Sequence, residues 1–350
     1  MRTMINKMLW LACAFSLSCW AQADEASPAP LPQPLKLRFC VFDPIGAQGD
    51  AFANAQDLAL AARRFNIITT LKVYTDEGVA AEDFKAGQCD GVALTTLRAR
   101  QFNAFIGSVD SIGGVPSYDD LRLLLSTLTQ PKLAPYMRQG PYEVIGVVPL
   151  GAAYVFVRDR SINSVEKAAG KKIAVLDWDK SQAFMVQQLG AQPVASDITN
   201  FGGKFNNGQV DIIVAPAVTY RPLELYRGLG ERGAIYHFPL MMITASIIIN
   251  RERLLQQVPD LDQRIAALRT YALNENERAW KLIARSEKNI DPKYWMELSP
   301  KDQQKYTQMM KVARLQLTQN GHYNAKMMHL LKLVRCKNEP ERSECAEHDE

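Results

Sequence analysis

The sequence predicts an α/β fold built of two similar lobes, and three observations carry that prediction. First, the stretch from Lys171 to Pro216 alternates short apolar runs with helical patterns: Lys172-Ile-Ala-Val-Leu176, a helix over 181–189, Gln192-Pro-Val194, and Asp211-Ile-Ile-Val-Ala-Pro216. Such alternation means parallel strands joined by crossover helices, here one βαβαβ unit. Second, Phe84-Lys-Ala-Gly-Gln-Cys-Asp90 matches Phe205-Asn-Asn-Gly-Gln-Val-Asp211, each followed by an apolar strand. Third, Phe39-Cys-Val-Phe-Asp43 echoes Ile173-Ala-Val-Leu-Asp177, each a strand ending in Asp. A chain that carries the unit twice places its natural site in the cleft between the lobes.

Each element follows in order. A proline-rich leader (Pro28, Pro30, Pro32, Pro34) precedes a first strand over 35–43. The turn Pro44–Gly49 opens an alanine-rich helix over 51–65. That turn lacks both G-x-x-x-x-G-K-[ST] and G-x-G-x-x-G, which argues against a nucleotide loop. Strand two covers 67–74, a short helix 79–86, and strand three 89–95. A further helix over 96–105 carries Arg98 and Arg100. After the turn Gly113–Pro116, residues 118–128 form a helix with a strong apolar face. Two strands follow, 144–148 and 151–157, the second crossing into the other lobe. Ser164 begins a helical turn that closes at Gly170. Beyond Pro216, a helix runs to Leu229. Met242–Asn250 is a near-continuous apolar run, read as a buried strand returning to the first lobe. From Asp260 the chain is helical, and 261–285 is long enough to lie across both lobes. Ser299-Pro-Lys-Asp302 is a capping-box start with Pro at the first helical position. That helix stops at Gly321, and 323–334 is amphipathic.

Composition narrows the class. A chain of 350 residues allows one large or two medium domains. A formal net charge of +4, scattered along the chain, argues against nucleic acid. The N-terminus reads as an export signal: Arg2 and Lys7 give a positive start, Met8–Trp20 an apolar core, and Ala21-Gln-Ala23 a cleavage box. Residues 1–23 are therefore expected to be removed, and the remainder is close to neutral. Export implies an oxidising compartment, here the periplasm. Cys336 and Cys345 flank a short polar loop and are expected to pair. Cys40 and Cys89 lie on the first and third strands; they either bridge or stand as two buried thiols, because parallel neighbours are awkward disulfide geometry.

No catalytic constellation emerges. Of His237, His322, His329 and His348, His322 and His329 share a helical neighbourhood but have no carboxylate at metal-ligand spacing, and H-E-x-x-H, C-x-x-C and G-x-S-x-G are absent from the sequence. No cofactor or metal is expected. The methionines of the last helix read as core, and the Lys/Arg scatter from Lys301 to Arg335 as a solvated helix face. What remains are the C-terminal ends of the strands, where open α/β sheets bind ligands. In lobe one these are Asp43, Gln48, Tyr74, Thr95, Thr96 and Arg98. In lobe two they are Tyr154, Asp177, Trp178, Asp179, Ser181, Tyr220 and Arg221. The mixture of aromatic faces, hydroxyls and charges suits a small molecule; for any one residue, the plainer reading is a turn or a cap.

Four segments in register carry a family resemblance: Ala169-Gly-Lys-Lys-Ile-Ala-Val175, Leu189-Gly-Ala-Gln-Pro193, Phe205-Asn-Asn-Gly-Gln-Val-Asp211 and Ile247-Ile-Ile-Asn250. They resemble the DctP-like extracytoplasmic solute-binding proteins of TRAP transporters, over roughly residues 36–330. In particular the chain resembles the AdeT-like branch, to which an efflux link has been attached. The resemblance implies a periplasmic-binding-protein-like α/β fold, two lobes with parallel-rich sheets, crossing strands as hinge and long C-terminal helices. It places lobe one at 35–150 plus 245–350 and lobe two at 151–244. It implies a protein without enzymatic activity that captures a small molecule and delivers it to a membrane transporter component, a TRAP-type permease or another. Two departures stand out. The family arginine that forks onto a substrate carboxylate falls at Ala174, and a second falls near Ala152 and Ala153. The expected ligand is therefore neutral or cationic, unless Arg98 or Arg221 replaces the lost arginines. The alternatives are an accessory envelope protein on the same scaffold, efflux-associated or not, and an exported enzyme.

Overall fold

A computed structural model describes residues 28–347 and 349–350. The export-signal reading over 1–23 and the start of the leader lie outside the described residues. The leader joins the fold at Leu31. This residue is buried, its N–H donates to Phe65 O at 3.0 Å, and its carbonyl accepts from Asn66 Nδ2 at 2.9 Å.

The chain runs β1 (Leu35–Phe42), α1 (Asp50–Ala62), β2 (Ile67–Tyr74), α2 (Glu77–Lys85), β3 (Gly91–Thr95), the single-turn α3 (Thr96–Ala99) and α4 (Tyr118–Leu128). Then come β4 (Arg138–Gln139), β5 (Tyr142–Val157), α5 (Val165–Ala168), β6 (Lys172–Leu176), α6 (Lys180–Gln188), β7 (Gln192–Ser196), α7 (Phe201–Asn206), β8 (Ile212–Pro216), α8 (Leu225–Leu229) and β9 (Ala234–Tyr236). The chain closes with β10 (Met241–Asn250), α9 (Arg251–Leu255), α10 (Leu261–Lys288), β11 (Trp295–Met296), α11 (Pro300–Gln319) and α12 (Ala325–Asn338).

One mixed sheet runs through the molecule in the order β2-β1-β3-β10-β5-β8-β6-β7. Its two ends are parallel trios, and two antiparallel strands, β10 and β5, join them. The two strands expected over 144–148 and 151–157 are one. Pro149 and Gly151 suggested a break, but the register against β10 shifts between Ile243 and Thr244, leaving Leu150 as an extra residue. A bulge accommodates proline without ending the strand. The helix expected over 96–105 is also shorter, since α3 ends at Ala99 and irregular turns follow.

The sequence repeat is a repeat of geometry. Phe84 and Phe205 are both fully buried. Gly87 and Gly208 follow at φ +75° and +74°, a backbone that L side chains rarely adopt. Asp90 then accepts from Arg38 N at 2.8 Å, and Asp211 accepts from Lys172 N at 2.9 Å. In each half, the Asp side chain thus ties a helix exit to the first strand of its own trio.

The main core, on one face of the sheet, spans both halves and includes Phe84, Leu121, Leu124, Phe156, Phe205, Met327 and Leu331. α10 lies along β5. Arg269 donates to Glu143 Oε1 at 2.6 Å and to Val144 O at 3.0 Å, and Asn276 donates to Val147 O at 3.1 Å. At its end, Glu287 Oε1 accepts from Tyr118 and Tyr154 at 2.5 and 2.7 Å. The C-terminal helices touch both halves, with Tyr306 of α11 packing on Tyr236.

Cys40–Cys89 and Cys336–Cys345 are both bridged. The second bridge folds the C-terminal tail back onto α12. Three cations expected on a solvated face are consequently buried: Arg314, Lys332 and Arg335. Arg335 forks onto Glu344 at 2.9 and 2.8 Å and donates to Gly114 O at 2.8 Å. Burial of a guanidinium requires such pairing, and the carboxylates come from a tail whose return path no local pattern announces.

Candidate functional site

β3 pairs with β10 on one side of the crossing pair, and β6 lies beyond β8 on the other. After β3, Thr95 caps α3 by accepting from Arg98 N at 3.2 Å, and its hydroxyl donates to Glu77 Oε2 at 2.7 Å. After β6, Asp179 caps α6 by accepting from Ser181 N at 3.0 Å and also from the Ser181 hydroxyl. An Asx or Ser/Thr cap is the ordinary way to satisfy the first orphan amides of a helix.

These two turns meet. The Arg98 guanidinium lies 3.9 Å from the Trp178 ring centroid, and its Nε is 3.4 Å from Glu77 Oε1. Arg100 donates Nε–H to Gly107 O at 3.0 Å, sets Nη1 3.4 Å from Asp179 Oδ1, and rests over Tyr323 at 5.3 Å. Glu77 and Asp179 are buried, with side-chain exposures of 4% and 2%. Each carboxylate thus meets a guanidinium at the long end of ion-pair range.

The unsatisfied groups are concentrated here. Among the described residues, the buried side-chain atoms without a protein hydrogen-bond partner are Glu77 Oε1, Arg98 Nε, Arg100 Nη2, Ser111 Oγ, Trp178 Nε1 and Asp179 Oδ2. Five of the six belong to the two pairs and the tryptophan between them. The sixth, Ser111, sits between Asp110 and Ile112, whose N–H donates to the Tyr323 hydroxyl at 3.4 Å. A buried polar atom left unpaired costs about 1–3 kcal/mol, so such a concentration needs a reason.

A hydroxyl chain backs the contact. The Thr244 hydroxyl lies 2.7 Å from Asp110 Oδ1 and 2.8 Å from Thr96 Oγ1, and Thr96 lies 2.7 Å from Ser246 Oγ. With Asp110 ionised, the protons order as Ser246 to Thr96 to Thr244 to Asp110. Burial pushes the Glu77 carboxyl up to about 7, against the opposing pull of Thr95 and Arg98. Burial likewise pushes Asp110 up to about 7, against its Thr244 bonds and Arg100.

Of the residues expected from the sequence, Thr95, Arg98, Trp178, Asp179 and Ser181 come together, with Thr96 behind them. The others are spread elsewhere. Asp43 accepts from Ile45 N and Phe52 N at 2.9 and 3.0 Å, holding the start of α1. Gln48 and Asp177 are exposed. Tyr74 donates to Asp83 and Tyr154 to Glu287. Tyr220 stacks on Phe156, and Arg221 lies 5.7 Å from the Tyr220 ring. Glu77, Arg100, Asp110, Ser111, Thr244 and Tyr323 were not anticipated. Only Arg100 had a signal, two residues after Arg98 at the same strand end. Ala152 and Ala153 are buried, so neither they nor Ala174 offers a cation, whereas Arg98 and Arg100 reach the contact from the β3 side. A cavity of about 1170 Å³ follows the sheet beneath α1 and α10 and reaches Thr95, Leu97 and Ser181, but Glu77, Arg98, Arg100 and Asp179 do not line it.

Comparison with known proteins bears on this geometry. The profile of the family described as solute-binding protein AdeT 1/2 matches residues 59–350. The solute-binding protein AdeT1 of Acinetobacter baumannii is 46% identical over 310 residues, covering 89% of this chain and 100% of that protein. AdeT2 of the same organism is 28% identical over 240 residues, covering 69% and 98%. Among solved structures, a TRAP periplasmic solute-binding protein of Ralstonia eutropha H16, bound to (S)-2-acetolactate, superposes with a TM-score of 0.71 at 15% identity, covering 86% of this chain and 99% of that one. One from Desulfovibrio salexigens, bound to orotic acid, gives 0.70 at 15% identity, covering 86% and 97%. Those identities establish the fold. The chain belongs to the AdeT1/2 family of solute-binding proteins, on the fold of TRAP periplasmic solute-binding proteins.

Proposed function

We propose that this chain is an exported periplasmic protein that captures a small polar solute between its two halves and presents the closed form to a membrane permease of the TRAP type. The halves are taken as 35–150 plus 245–350 and 151–244, with cleavage of the export signal after Ala23. The observation that carries the reading is the concentration of buried, unpaired polar atoms where the β3 and β6 turns meet. A bound solute satisfies them, and contacts drawn from both halves make closure dependent on it. No catalytic step is assigned to this site.

A thermal-shift screen of organic acids, amino acids, sugars, polyamines and aminoglycosides tests the proposal. A ligand at about a hundred times its dissociation constant adds about 2.7 kcal/mol of stability, which is readily seen. A shift that is lost in Arg100→Met supports capture at this contact. A second reading, an accessory envelope protein without ligand delivery, is favoured by one observation: Glu77 and Asp179 already face Arg98 and Arg100 as ion pairs without a solute. No shift across the panel is the result that reading expects, and it overturns the first.

A further inference from the structure

We infer that the solute held at this contact is a zwitterion bearing a carboxylate and a protonated amine with at least one N–H, the chemistry of an α-amino acid. The inference rests on the reading that the contact binds a solute, and it concerns which kind. The unpaired atoms divide by polarity. Arg98 Nε, Arg100 Nη2 and Trp178 Nε1 are donors only, whereas Glu77 Oε1 and Asp179 Oδ2 accept when ionised. A solute that completes the set offers acceptors to three donors and donors to two carboxylate oxygens.

Charge narrows the choice further. Two guanidinium groups face two carboxylates across Arg98–Glu77 and Arg100–Asp179, each at 3.4 Å. With Glu77 ionised, above about pH 7, the cluster is balanced, and its carboxylates are almost without water. A simple carboxylate satisfies the guanidinium side but adds an uncompensated negative charge beside Glu77 and Asp179. A simple amine does the reverse against Arg98 and Arg100. A zwitterion adds no net charge and pairs with both, and inside a low-dielectric contact that difference is large. A hydroxy acid supplies donors through its hydroxyl, yet it carries the same net negative charge as the simple acid. In the Arg100–Asp179 pair, Nη2 and Oδ2 stand free beside the Nη1–Oδ1 contact, so solute groups join that pair; in the Arg98–Glu77 pair the unsatisfied Nε and Oε1 face each other at 3.4 Å, so the solute comes between them.

The arrangement also accounts for the alanines. With Ala174, Ala152 and Ala153 at positions that offer no cation, the anionic end of a solute is received from the β3 side. There each guanidinium arrives with a carboxylate beside it, so the same turns that bind the carboxylate also receive the amine.

Calorimetric titration of the purified protein with matched ligands decides the matter. The set pairs each α-amino acid with its des-amino acid, its α-hydroxy acid and its N-trimethylated form, and includes a diamine. The expected result is at least tenfold weaker binding when the amine is removed, replaced by hydroxyl or fully methylated, and at least tenfold weaker binding of the amino acid to Asp179→Asn and to Arg100→Met. Asparagine retains the capping oxygen for Ser181 N, and circular dichroism checks that each variant folds. Because the ligand comparison is made on the wild-type protein, it stands even if a variant fails to fold. Equal or tighter binding of the des-amino or hydroxy acid overturns the zwitterion inference and leaves solute capture intact. Binding of the diamine alone does the same. Binding of nothing overturns both.

Discussion

The raised carboxyl of Glu77 makes stability fall with pH where most proteins gain it. In the folded chain this carboxyl titrates near 7 rather than at its ordinary 4.5. Between those values the folded chain holds a proton that the unfolded chain has released. The slope of unfolding free energy with pH is therefore negative, about 1.4 kcal/mol per pH unit for one group. Across the interval from 4.5 to about 7 the loss is on the order of 3 kcal/mol. Asp110, shifted from 3.8 to about 7, acts in the same direction. Together the two predict a slope of about 3 kcal/mol per pH unit between roughly pH 5 and 6.5. The perturbation is Glu77→Gln, which keeps an oxygen for the Thr95 hydroxyl and does not titrate. Urea unfolding at constant ionic strength from pH 5 to 8 should show the wild-type slope roughly halved in this variant, and halved again toward zero when Asp110→Asn is added. Wild-type stability that is flat or rising over that range, or a Glu77→Gln slope equal to wild type, refutes the reasoning.

Three further outcomes follow from the packing. Gly208→Ala imposes a side chain at φ +74° and should destabilise by roughly 1–2 kcal/mol, whereas Gly203→Ala, in a helix with open space at its Cβ, should stabilise by about 0.4–1 kcal/mol in the same urea assay. Replacing both members of the Cys40–Cys89 bridge, with its sequence separation of 49, should cost about 4 kcal/mol, against about 2.7 kcal/mol for Cys336–Cys345 with a separation of 9; the reverse order in thermal unfolding contradicts loop-closure control. Glu287→Ala leaves the hydroxyls of Tyr118 and Tyr154 without their acceptor and should cost about 2 kcal/mol, while Tyr154→Phe made in that background should recover part of the loss.

What the sequence made legible is what local pattern encodes. The Phe-x-x-Gly-Gln-x-Asp repeat was readable because its glycine, its buried Phe and its Asp each serve a short-range need, a left-handed turn and an amide of the neighbouring strand. Ser299 as a cap, accepting from Asp302 N at 3.2 Å, was readable for the same reason. The β5 bulge was not, because Pro149 and Gly151 look like an end unless the partner strand β10 is known. The site shows the same division. Trp178, Asp179 and Ser181 were found by their place at a strand end. Glu77 was missed because its neighbour Asp76 is the visible cap of α2, with Gly78 N at 2.7 Å, and nothing local says that the next residue faces Thr95 and Arg98. The burial of Arg335 depends on the tail returning with Glu344, a contact closed by the disulfide and by ion pairs such as Arg314–Glu350 and Lys332–Asp349.

The continuous sheet constrains how a solute gains access. β5 and β10 pair along most of their length and belong to both halves, so opening cannot break the ladder without losing many backbone hydrogen bonds. It must bend the two strands, and the ladder is already irregular at two places, Leu150, beside Gly151 at φ +110°, and Ile145. α10 runs along β5 there and is tied to it through Asn276 and Glu287, so the bend pivots against a helix that spans the join. On the opening side, the polar links given up are Arg98 over Trp178 and Arg100 against Asp179. A partly desolvated cation–π contact and a loose ion pair each contribute on the order of 1 kcal/mol. On the proposed reading, that is small beside the energy of a bound solute that satisfies the unpaired atoms of this contact. A closed state without solute would then be held weakly, and a ligand with a few kcal/mol of preference for the closed form would be enough to govern the equilibrium.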